Sequence, residues 1–235
     1  MNVTVNNLCF KGYRGNNINN VNIELSTGQC LIISGISGCG KSLLLSLICG
    51  LVIADSGSVV FDDLTMQQMT TEQDAHFRKR LGVIFQKPAL LSNLTILENL
   101  LLPLIQHYPE LSDTERGEVV EKACQQFNLQ SYLHDRVEDL SNGMQSLVSL
   151  TRALIGRPDL LIWDAPLSDI DLNWSAQIIG VLKQMKARKK TMILFTNREI
   201  LIDEMADIHL NLVDGKLIAN DAIYPAKEQP NDIGY

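Results

Sequence analysis

The sequence predicts an α/β fold built on a mainly parallel sheet, and three observations carry that expectation. CLIIS, Cys30 to Ser34, is a buried-strand run that leads through a glycine-rich turn into KSLLLSLICGL, Lys41 to Leu51, apolar enough for a buried helix. LLIW (Leu160 to Trp163) and TMILF (Thr191 to Phe195) are further short apolar runs, separated by a helical stretch from about Asp171 to Arg188. Strands alternating with helices imply right-handed crossovers and a parallel sheet covered on both faces.

The remaining elements follow in chain order. The first 25 residues alternate apolar and polar positions in short pieces broken by GYRGNN, which predicts two or three strands in an N-terminal antiparallel β-subdomain. Gly57 to Phe61 and Leu81 to Phe85 read as strands, with the charged segment Thr71 to Arg80 as a helix between them. From Pro88 to about Val137 the pattern turns helical, with Pro103 and Pro109 as breaks, and another helix runs from Ser141 to about Gly156. A helical subdomain of about residues 88–155 is thus inserted in the core of one domain, residues 1–225. The polar, turn-rich residues 226–235 read as a C-terminal tail. A length of 235 residues suits one domain carrying such an insertion.

Composition removes several functional classes. With 46% apolar and 20% charged residues the chain is an ordinary globular composition, not a disordered one. A net charge of −7 lacks the basic footprint of a nucleic-acid binder, so no nucleic acid is expected as partner. The five cysteines, Cys9, Cys30, Cys39, Cys49 and Cys124, form no C-x-x-C pair, which argues against a disulfide framework or a zinc site and fits a reducing cytosol. The N-terminus lacks the basic-then-apolar order of a signal peptide. The longest apolar run, Leu43 to Ala54, is well short of the roughly 20 residues of a membrane span, so the chain is not expected to cross a bilayer itself.

The chemistry is concentrated in GISGCGKS, Gly35 to Ser42, which satisfies G-x-x-x-x-G-K-[ST] between a strand and a helix. Small residues let successive backbone N–H groups wrap phosphates, and the helix N-terminus adds positive potential. The expected cradle is Gly35, Ser37, Gly38, Cys39, Gly40, Lys41, Ser42 and Leu43, with Lys41 on the outer phosphates and Ser42 on Mg²⁺; the loop alone does not choose between kinases, GTPases and transport ATPases. LLIWD ends its strand in Asp164, a carboxylate expected at the C-terminal edge of the sheet beside the loop, where it holds the magnesium shell. After the strand ending at Phe195 come Thr196, Asn197, Arg198 and Glu199 in place of a guanine-reading N-K-x-D, which argues against a GTPase.

Over nearly its whole length the chain resembles the nucleotide-binding subunit of an ABC transporter. The order is that of the family: the phosphate loop, Gln86 at the end of VIFQ, a helical insertion, LSNGM at Leu140 to Met144, LLIWD, and a turn LSDID ending in Asp171. The resemblance implies ATP and Mg²⁺ as ligands and two subunits packed head to tail. In such a pair Ser141 and Gly143 close over the γ-phosphate held by the partner's loop. It gives Gln86 a magnesium- and water-sensing role. Tyr13 is a candidate for stacking on adenine, with packing in the N-terminal hairpin as the alternative. It also implies an integral membrane permease as partner and a peripheral position on the cytoplasmic face of the inner (plasma) membrane. Leu90, Leu91 and Leu94 are candidate permease contacts, equally explicable as subdomain core.

The resemblance fails where hydrolysis is carried out. The family places a Glu directly after the strand-terminal Asp to polarise water, and this chain has Ala165; the switch histidine after the next strand falls at Asn197. A methyl group can neither accept a proton nor orient water. The signature keeps Leu140, Ser141 and Gly143 of LSGGQ but has Asn142 and Met144; Leu147 replaces a usual Arg and Asp169 a small residue. The expectation is a degenerate site that binds Mg-ATP and hydrolyses it poorly, with LSNGM serving a second ABC ATPase subunit, the chain itself or a complete homologue. The stretch Glu98 to Asp113 with Met144 looks like the ATPases of Mla-type phospholipid transport systems, which act with MCE proteins; lipoprotein-releasing ATPases have a related run at Glu98 to Leu104, and the leucines are equally explicable as helix core. A soluble non-transport ABC protein or an ATP-gated clamp is the competing reading.

Overall fold

The computed structural model describes residues 1–12, 17–168 and 170–219. Tyr13, Asp169 and the tail 226–235 lie outside them. In chain order the elements are β1 (Val3–Lys11), β2 (Asn17–Leu25), β3 (Cys30–Ser34), α1 (Lys41–Ile48), β4 (Ser56–Phe61), β5 (Leu64–Thr65), α2 (Thr71–Lys79) and β6 (Leu81–Ile84). They continue as α3 (Ile96–His107), α4 (Asp113–Gln125), α5 (Asn142–Ile155), β7 (Leu160–Asp164), α6 (Leu172–Ala187), β8 (Thr191–Phe195), α7 (Glu199–Met205), β9 (Ile208–Val213) and β10 (Lys216–Ala219).

Two sheets result. The first is antiparallel, ordered β2-β1-β4-β5; the second is ordered β10-β9-β3-β8-β7-β6 and is parallel except for β10. This is the expected α/β architecture with an antiparallel β-subdomain and a helical insertion. Strands β3, β7 and β8 are buried at every position because both faces of the parallel sheet are covered. Leu31, Ile33, Leu160, Ile162, Ile193 and Phe195 face α1 and the antiparallel sheet. Their alternates Ile32, Leu161, Trp163, Met192 and Leu194 face the side of α5, α6 and α7. The insertion shares that second core through Leu100, Leu104, Val120, Cys124 and Phe127, so it is packed onto the core domain rather than tethered to it. No helix among the described residues is long and apolar enough to cross a membrane.

One expected break is corrected. Pro103 lies inside α3, which runs on to His107; only Pro109 falls beyond the helix end. A mid-helix proline costs about 3 kcal/mol, but the helix is fixed by a Thr95–Glu98 capping box and by Ile96, Leu100 and Leu104, each giving roughly 1.5–3 kcal/mol on burial. The N-terminal stretch contains two strands, within the expected two or three, but each is nine residues long rather than short. Helix α7 and the β9–β10 hairpin were not expected.

An ionic network ties the strand beginnings together. Arg80 Nε and Lys190 Nζ meet the two oxygens of Asp159 at 2.7 and 2.6 Å, and Arg80 also reaches Asp62 at 3.2 Å. Burial pushes the Asp159 carboxyl up, yet hydrogen bonds from Lys190 and Arg80 outweigh it and hold the group below its usual value. A carboxyl depressed in the folded state stabilises above its unfolded pKa of about 3.9, and that stabilisation is lost as pH falls through the folded value. Asp159→Asn is therefore expected to destabilise at neutral pH, by about 1 kcal/mol or less because water screens the half-exposed groups. The gap from the native chain narrows as pH falls below about 3.9, as thermal melts at neutral and acidic pH would read.

Candidate nucleotide-binding site

The site is built where β3 ends. Ser34 Oγ lies 2.8 Å from His209 Nε2 and donates to the Asn211 side-chain carbonyl, which fastens the strand end to β9. Burial pushes the His209 imidazole below its usual value. The chain then turns at Gly35, where a Cβ would come within 2.7 Å of both Cys39 Sγ and the Leu212 carbonyl oxygen, so the close approach admits only glycine. Gly40, at φ 106°, is the N-cap of α1 and takes a conformation that side chains disfavour.

Helix α1 differs from its neighbours at its first turn. It has no acidic residue there, whereas α2, α3 and α4 each start with carboxylates and a capping box. No acidic residue of its own first turn offsets its N-terminal potential beneath the loop, an arrangement that favours an anion there. Leu44, Leu45, Leu47 and Ile48 bury the opposite face and hold the helix rigid against the sheet. Lys41 Nζ donates to the carbonyl oxygens of Gly35 at 2.6 Å and Ile36 at 3.0 Å, so its charge stands across the mouth of the loop.

Two groups far apart in sequence meet at this point. Asp164, 4% exposed at the end of β7, accepts a hydrogen bond from Ser42 Oγ at 2.5 Å. A carboxylate beside a hydroxyl at the foot of a phosphate loop is a hard-oxygen donor set of the kind Mg²⁺ takes. Gln86, Ala165 and Ser168 line one small cleft with Asp164, so the expected glutamine is brought to the same place. Ala165 holds φ 54° and donates its N–H to the Phe195 carbonyl at 2.9 Å.

Asn197 has a contact that sequence reasoning missed. Its side chain accepts from the Gly35 N–H and donates to the Gly35 carbonyl, both at 2.9 Å, so the amide grips the first residue of the loop through both backbone groups. The Gly35 oxygen is thereby shared by Asn197 and Lys41. The clamp joins the ends of two recognised strands and has no local signature, whereas His209 and Asn211 were invisible because β9 was not recognised; the Asp214–Gly215 pair, both at positive φ, is the hairpin signal that locates it.

The signature residues lie elsewhere. Ser141 caps α5 by accepting from the Met144 N–H at 3.3 Å, Gly143 is in the first turn, and that turn also lacks acidic residues. No hydrogen bond or ion pair among the described residues joins them to Lys41 or Ser42. Asp171 caps α6 by accepting from the Trp174 N–H at 3.1 Å. Leu147 is buried in the core of α5, where an Arg would be desolvated. Leu91 is exposed, whereas Leu90 packs against the core and Leu94 is half-buried.

A profile of the ABC transporter family matches residues 18–168, which span the phosphate loop, the insertion, the signature and Asp164. The chain belongs to the ABC transporter family. Among curated proteins this ABC domain is 30% identical to the macrolide export ATP-binding/permease protein MacB of Pasteurella multocida over 88% of its own length, but spans only 31% of that relative. It is 29% identical to the lipoprotein-releasing system ATP-binding protein LolD of Buchnera aphidicola, covering 86% of this chain and 88% of LolD. Among solved structures the ATP-binding cassette MJ0796, a dimer bound to ADP and Pi in a post-hydrolysis state, superposes with a TM-score of 0.84 at 27% identity, over 92% of this chain and 96% of that one.

Proposed function

We propose that this chain is the ATP-binding subunit of a membrane ABC transporter whose own nucleotide site binds Mg-ATP and hydrolyses it poorly. The observation that carries the reading is the split within the site. The groups for binding, Lys41 across the loop and Ser42 against Asp164, stand together, while the cleft beside Asp164 holds Ala165 where a base is needed, and Asn197, where an imidazole is needed, is engaged with Gly35.

In this reading the backbone of Gly35 to Leu43 and the α1 N-terminus take the phosphates, and Lys41 turns from the Gly35 and Ile36 carbonyls to the outer phosphate oxygens. Ser42, Asp164 and Gln86 would hold Mg²⁺, which supplies charge neutralisation on the phosphates. Tyr13 is the proposed adenine platform. Asn197 keeps the loop mouth fixed through Gly35 but carries no positive charge towards a departing phosphate. Among the described residues the cleft holds one carboxylate, Asp164, which already takes the hydrogen bond from Ser42.

Ser141 and Gly143 then act on nucleotide held by a second ABC subunit, itself or a complete homologue, packed head to tail. The dimeric MJ0796 relative supports such pairing. So do Ile36 in the loop and Leu172 after Asp171, large apolar side chains 79% and 89% exposed. Leu91, 47% exposed beyond Gln86, is the proposed contact with a membrane permease that keeps the chain on the cytoplasmic face of the inner membrane. Likeness to LolD and the Glu98–Asp113 stretch support a lipid or lipoprotein cargo, with Mla-type MCE proteins as further partners.

Purification of the tagged chain from native membranes in mild detergent tests the transport role. A multi-span membrane protein is expected to accompany it in fixed stoichiometry. Recovery from the soluble fraction with ribosomes or nucleic acid would contradict the reading.

A further inference from the structure

A second cavity, of about 710 Å³, lies between α4, α5 and α6. It opens beside the loops that precede β7 and β8, whereas the nucleotide groups follow the C-terminal ends of β3 and β7. Because these strands are parallel, the two sites occupy opposite edges of the sheet, and they share no residue. The volume is within the roughly 300–1,000 Å³ of ligand sites.

Its walls have two distinct chemistries. Leu154 of α5 and Met185 of α6 belong to an apolar floor, while Lys122, Arg157, Arg188 and Lys190 stand around it and no acidic residue lines it. Lys190 is neutralised by Asp159. The other three make no ion pair among the described residues. On a chain with a net charge of −7, three uncompensated cations around an apolar hollow form a local field of the opposite sign.

We propose that this cavity binds an amphiphilic anion, with an apolar chain on the floor and a carboxylate or phosphate head at Lys122, Arg157 and Arg188. A cationic head group would be repelled, and a small hydrophilic anion would leave the floor uncovered. The lining comes from the insertion (α4, α5) and from the core (α6 and the strand-leading loops), so the bound molecule bridges the two and resists their relative movement.

The test is calorimetric titration of the full chain with oleate and, separately, with oleoyl lysophosphatidate, both below micellar concentration, with oleyl alcohol as the uncharged chain. Saturable single-site binding of at least one anion is expected, tenfold or more tighter than the alcohol. Arg157→Glu with Arg188→Glu weakens it tenfold or more, and the milder Arg157→Gln with Arg188→Gln weakens it less, while ATP affinity is unchanged in both. Preference for oleate assigns a fatty-acid head and preference for the lysophospholipid a phosphate head. Binding of neither anion, or anion affinity indifferent to the substitutions or matched by the alcohol, would overturn the proposal.

Discussion

Ala165→Glu combined with Asn197→His is expected to raise steady-state ATP turnover by about 10²- to 10⁴-fold, the range a positioned general base contributes. The site is prepared for the carboxylate. Position 165 already carries a Cβ at φ 54°, so Glu adds no backbone strain beyond that borne by Ala, and its side chain enters the cleft shared with Gln86 and Asp164. The histidine exchanges the double hydrogen bond to Gly35 for a ring that can carry charge. Of the two single variants, Ala165→Glu is expected to recover the larger share. The comparison belongs in the native assembly, since the signature that completes the site comes from a second subunit. An unchanged rate in the double variant would sink this account of the defect.

Lys41→Ala is expected to weaken ATP binding about 10- to 100-fold without unfolding the chain, since a hydrogen bond to a charged group is worth roughly 1.5–3 kcal/mol. Its ammonium is half-buried and has no carboxylate partner among the described residues; it rests on two carbonyl oxygens of the loop it serves. Removing it leaves the loop geometry to Asn197 and the Gly35 turn, which do not depend on it. Titration with a fluorescent ATP analogue reads the affinity, and circular dichroism shows that the fold persists. Equal affinity in the two proteins would remove Lys41 from the site.

Much of this was legible in the sequence where one physical constraint dominates. Strands β3, β7 and β8 are buried on both faces and therefore read as continuous apolar runs, and the glycine-rich turn needs residues that only a phosphate loop requires in that spacing. The meeting of Ser42 and Asp164 across 122 positions followed from placing two parallel strands with their C-terminal ends at one edge. Other features depend on tertiary context. Pro103 reads as a break, yet buried Leu100 and Leu104 outweigh its cost. Strand β9 is half-buried along most of its length, so its pattern is weak beside those of the central strands. The grip of Asn197 on Gly35 joins residues 162 positions apart and has no local signature.

The central claim is that binding and hydrolysis are separated in this chain, and the direct measurement takes both on one purified sample, with Lys41→Ala as the background. The account predicts saturable Mg-ATP binding with steady-state turnover no higher than that of Lys41→Ala. Turnover well above that background and lost in Lys41→Ala would contradict it, because another group would then be doing the work of the carboxylate absent at Ala165.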